Sequence, residues 1–95
     1  MITISITLDR LTVTGHARAA PPGQDIVCSA VSTLVQTLAN ALESFTDDVI
    51  KIDMQPGRAV VEYKDLSDAG RLLVDSFFLG FCDIAAEYPE YVTIV

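Results

Sequence analysis

Residues 14–34 read TGHARAAPPGQDIVCSAVSTL and hold the only histidine, one of the two cysteines and two of the four prolines. Their reading decides where the strands stop and the first helix begins. Residues 17–24, ARAAPPGQ, cannot extend a strand, because Pro21 and Pro22 lack ladder donors and Gly23 favours a turn. Asp25 then stands at an N-cap position. Beyond it Val27, Val31, Leu34, Val35, Leu38 and Leu42 recur at three-to-four spacing, which predicts an amphipathic helix to about Ser44. Cys28 is its third residue, and Gly15-His16 falls where the preceding strand runs out.

On the N-terminal side, Ile2, Ile4, Ile6 and Leu8 alternate with Thr3, Ser5 and Thr7, the pattern of a half-buried strand. A turn at Asp9-Arg10 leads to Leu11 and Val13 alternating with Thr12 and Thr14, so a hairpin is expected. On the C-terminal side, Thr46-Asp47-Asp48 breaks the helix and Ile50, Ile52 and Met54 alternate again. QPGR (55–58) has Pro second and Gly third, a type II turn signature. A strand from Ala59 to Lys64 closes this second hairpin. Ser67 or Asp68 caps a second helix to about Glu87, Pro89 stops it, and YVTIV (91–95) ends the chain as a strand. The order ββαββαβ predicts one α+β domain over residues 1–95, a two-layer fold with a small mixed sheet packed against two helices.

The second helix carries Leu72, Leu73, Phe77, Phe78, Leu79, Phe81 and Ile84, more than one stripe and more than a small sheet can bury. Two readings remain: a homodimer covers the surplus, or the two helices share one sheet face. The homodimer is the expectation.

Thirteen acids against six bases give a net charge of −7, and no basic stripe is present, which argues against direct nucleic-acid binding. A basic partner would be attracted instead. No apolar run approaches the roughly 18 residues of a membrane span, and MITISITLDR has neither a basic start nor a cleavage site, so no membrane segment and a cytoplasmic location are expected. Two cysteines make no disulfide framework, and one histidine without a cysteine pair at ligand spacing makes no zinc site. Neither a metal nor a cofactor is expected, and chemistry at Cys28 would be that of a free thiol.

Cys82, inside the apolar second helix, reads as a small buried apolar residue. Cys28 differs because the first turn of a helix presents unpaired N–H groups that favour a thiolate. A helix terminus supplies at most ~2 kcal/mol, however, whereas lowering a thiol from a pKa of about 8.5 to ~6 takes about 3.4 kcal/mol. A cationic neighbour is needed, and His16 is the candidate that also moves protons near neutral pH. The resulting hypothesis is a Cys28–His16 pair attacking a carbonyl, with first-turn amides including that of Cys28 facing the oxyanion. Alternatively His16 is a strand-end residue bonded to a loop carbonyl. Asp25 reads as the helix cap, as a third member orienting His16, or as both. Ser32, one turn after Cys28, faces the sulfur or substrate, or bonds back to the carbonyl of residue 28. The slack between His16 and Cys28 suggests a segment that covers the site when substrate binds.

Gly15-His16-Ala17, then Asp25-Ile26-Val27-Cys28 about nine residues on, and Ser32 four beyond the cysteine together resemble the Prp family of ribosomal-processing cysteine proteases. The later NALE (40–43) and the ending YPEYVTIV (88–95) extend the likeness along nearly the whole chain. The resemblance implies a small dimeric cysteine endopeptidase that removes an N-terminal extension from a ribosomal protein precursor, number twenty-seven of the large subunit. It implies a dyad of Cys28 and His16, with Gly15, Asp25 and Ser32 as supporting motif residues. It also implies cleavage after an aromatic pair and a small residue, and an apolar groove beside Cys28. RAAPPGQ (18–24) departs from the family's loop, which bears on substrate contacts from that loop. The alternative function is a non-catalytic dimeric adaptor for a basic ribosomal partner. A redox-sensing thiol is weaker still, since no resolving cysteine lies near in sequence.

Overall fold

The computed structural model describes residues 1–17 and 25–95. Strand β1 (Ile2–Ile6) pairs antiparallel with β2 (Arg10–Thr14), placing Ile4 opposite Val13 and Ile6 opposite Leu11. Period-two alternation sends Ile2, Ile4, Leu11 and Val13 into the core and leaves Thr3, Ser5, Thr12 and Thr14 on the other face. The hairpin turns earlier than its sequence pattern predicts. Leu8 is not a strand residue but 83% exposed, because the Thr7 N–H donates to the Arg10 carbonyl (2.8 Å) and the Thr7 hydroxyl to the Asp9 carboxylate (2.9 Å). Arg10 therefore opens β2 instead of sitting in the turn.

The second hairpin joins β3 (Ile50–Gln55) to β4 (Arg58–Tyr63). Gly57 has φ +77°, as the third residue of a type II turn requires. β4 pairs antiparallel with β2, and β5 (Val92–Ile94) runs parallel to β1, so the mixed sheet has the order β3-β4-β2-β1-β5.

Helix α1 (Ile26–Phe45) begins at an Asp25 cap and buries Val27, Val31, Val35, Leu38 and Leu42. Helix α2 (Asp68–Glu87) begins at Ser67, whose hydroxyl accepts the Gly70 N–H (3.1 Å). A core cluster joins the inward residues of the sheet to both helices, and it includes the fully buried Phe81. Burying such a side chain stabilises by about 1.5–3 kcal/mol. This is the expected two-layer α+β arrangement with order ββαββαβ.

Of the two readings of the apolar surplus, the sharing of one sheet face by the two helices is realised in part. The helices pack side by side over the sheet, which half-buries Leu73, Phe77 and Ile84, while Leu72 and Leu79 stay 67% and 66% exposed. By length and composition α1 would also suffice to cross a membrane, although polar residues interrupt its apolar ones throughout. Its valine and leucine stripe is packed on the sheet, as in a core helix.

Candidate active site

Three segments meet at one end of the sheet: the exit of β2 at Gly15-His16-Ala17, the entrance of α1 at Asp25 to Cys28, and the β3–β4 turn. Between them lies a cavity of about 380 Å³. Its lining includes the polar His16, Cys28, Ser32, Gln36 and Arg58 and the apolar Val13, Val31, Val35 and Met54. The expected apolar groove beside Cys28 is thus present.

Cys28 is half-buried at the third position of α1, as the cap position predicts. Its sulfur accepts the backbone N–H of Ala17 at 3.3 Å, so the residue next to His16 touches the thiol directly. Asp25 is buried, and its Oδ1 accepts the N–H groups of Val27 and Cys28, each at 3.0 Å. The cap reading of Asp25 holds. The same bond corrects the oxyanion assignment: the Cys28 N–H is already given to Asp25 and does not face the groove as a free donor.

His16 has its imidazole at the cavity and is exposed. Its carbonyl accepts the Met1 amino group (2.7 Å), and the Gly15 N–H donates to the Gly57 carbonyl (2.8 Å). Gly15 adopts φ +92° and lies so close to the Met1 carbonyl that a side chain would collide with it. Its place in the motif is thereby explained by backbone geometry. Ser32 is exposed on the cavity wall, and among the described residues no hydrogen bond engages its hydroxyl, so the bond back to residue 28 is not formed. The covering segment expected between His16 and Cys28 lies outside the described residues. Among those described, no group of three metal-ligating side chains is arranged to hold an ion, and both cysteines are free.

Sequence reasoning missed Gln36 and the turn residues Gly57 and Arg58. Gln36 was within reach, since positions 28, 32 and 36 share a helix face. The turn was not, because only sheet pairing brings it to the site.

A family model described as cysteine protease Prp matches residues 1–93. The ribosomal processing cysteine protease Prp of Mycoplasma pneumoniae is 49% identical over 98% of this chain and 92% of its own length. Among solved structures, a Streptococcus mutans protein is 33% identical with a TM-score of 0.84, covering 99% of this chain and 91% of that one. In fold, the chain is also similar to the Staphylococcus aureus ribosomal processing protease Prp bearing a covalently linked product peptide (TM-score 0.90, 24% identity, 99% and 97% coverage). With a thiol lining the groove and a family match over almost its full length, the chain belongs to the cysteine protease Prp family and is a cysteine protease.

Proposed function

We propose that this chain is a cytoplasmic endopeptidase that removes the N-terminal extension of a ribosomal protein precursor, number twenty-seven of the large subunit, through a Cys28–His16 dyad. The observation that carries this reading is the Ala17 N–H bond to Cys28 Sγ, which joins the strand end bearing His16 to the helix entrance bearing the sulfur. The ribosomal processing activity named for the Mycoplasma pneumoniae relative supports the substrate class. A net charge of −7 suits a basic ribosomal partner.

In this mechanism His16 takes the thiol proton, Sγ attacks the scissile carbonyl carbon, and the imidazolium returns the proton to the leaving amine as the C–N bond breaks. A water deprotonated by His16 then attacks the thioester, and as the C–S bond breaks to release the acid the imidazolium returns that proton to the departing Sγ. The Ala17 N–H solvates the thiolate before attack. Asp25 keeps the first turn of α1 in place.

Cys28→Ala is expected to abolish cleavage of a peptide carrying the extension, and His16→Ala to reduce it by about 10²–10⁴-fold, the usual contribution of a general base. Circular dichroism should show both variants folded. Undiminished cleavage by the Cys28→Ala protein would end the proposal. The exposed Leu72 and Leu79 support a homodimer through α2, which sedimentation velocity tests: Leu79→Asp should sediment as a monomer where the parent does not.

A further inference from the structure

We propose that Gly57, in the turn between β3 and β4, is a positioning residue that holds the His16 imidazole in its working orientation. This rests on the endopeptidase reading, since it gives His16 a task that depends on orientation. Two independent contacts join the turn to the histidine. The residue before it is tied there, the Gly15 N–H donating to the Gly57 carbonyl (2.8 Å). Its ring rests on the glycine itself: a Cβ at residue 57 would lie 2.8 Å from Nε2, 3.4 Å from Cε1 and 3.5 Å from Cδ2. Nε2 and its two bonded neighbours are thus the atoms nearest that position.

The glycine meets two separate requirements. The type II turn needs a positive φ after Pro56, which Gly satisfies and Asn tolerates. The ring contact needs the absence of any Cβ, which Asn does not satisfy. Because His16 is exposed, a new Cβ can push the ring aside without disturbing the core. What changes is then the direction of the imidazole, with little loss of stability.

The test compares wild type with Gly57→Asn, cleaving a peptide that carries the ribosomal extension, while imidazole resonances of the single histidine are followed by NMR across pH. The expected result is kcat lower by about 10- to 100-fold, as for a misplaced catalytic group, with KM within about twofold. The His16 ring resonances should move, and the melting temperature should stay close to that of wild type. In wild type, nuclear Overhauser effects should link the His16 ring protons to the Gly57 α-protons. That measurement decides the matter even if the variant does not fold, since absence of the effects overturns the proposal. Wild-type kcat in Gly57→Asn overturns the positioning role alone. A wild-type protein that cleaves no such peptide overturns the endopeptidase reading first, and the positioning role with it.

Discussion

At Asp25 one carboxylate oxygen takes two amide hydrogens, so its removal acts first on the start of α1. Asp25→Ala is expected to destabilise by about 1 kcal/mol, the usual cost of a lost N-cap, read from the urea unfolding midpoint. Asp25→Asn keeps an acceptor oxygen and should hold stability within about 0.5 kcal/mol, because Asn caps about as well as Asp. If the cap is the whole of its role, Asp25→Asn also cleaves substrate at the parental rate; a stable variant with depressed kcat assigns Asp25 a part in orienting His16. Asp25 and Cys28 were legible in the sequence because capping is local, with donor and acceptor within three residues. Gly57 was not, because a contact with His16 across the sheet leaves no periodic trace.

Between the elements, Asp48 joins the end of α1 to the start of α2. Its carboxylate accepts the Ser67 N–H (3.0 Å) and hydroxyl (2.9 Å), and its own N–H donates to Thr46 Oγ1 (3.1 Å), which in turn bonds to the Leu42 carbonyl (2.6 Å). Thr46 ends one helix and Ser67 caps the next. The Ser67 cap was legible, but the carboxylate holding it comes from nineteen residues earlier and was not. A side chain at Gly70 would collide with that carboxylate. Gly70→Ala alone is therefore expected to destabilise by about 1–3 kcal/mol, as overpacking does, despite the better helix propensity of alanine. In an Asp48→Ala background the collision with the carboxylate is gone and only Leu66 Cδ2, 3.1 Å from the new Cβ, has to give, so the same change should cost clearly less. Urea unfolding of the four proteins measures the coupling, and simple additivity would show that the collision is not what excludes a side chain there.

Across the whole molecule, element order was legible from alternation, caps and turn residues, whereas strand order was not. Pairing of β2 with β4 and of β1 with β5 joins segments far apart in sequence, and alternation states only which face is buried. Tyr63 is one residue on which this topology converges. It is 2% exposed, its hydroxyl donates to the Thr7 carbonyl (3.0 Å), and its N–H donates to the Asp9 carbonyl (2.9 Å), fastening β4 to the first hairpin. Burial raises the phenol above its ordinary value of 10.0; Arg71 opposes this, and the charges of Asp9 and Asp75 add to it. The folded state thus holds the proton more tightly than the unfolded chain. The corresponding stability is fully present below pH 10 and is lost as pH rises through the folded value. Tyr63→Phe removes the hydrogen bond, at a cost of about 1 kcal/mol near neutral pH, together with the titration. The stability gap between the two proteins should accordingly narrow as pH rises beyond 10, as read by urea unfolding at matched ionic strength. Groups titrating in both proteins cancel in that difference, so a gap that stays constant with pH would mean that burial of the Tyr63 hydroxyl does not perturb its ionisation.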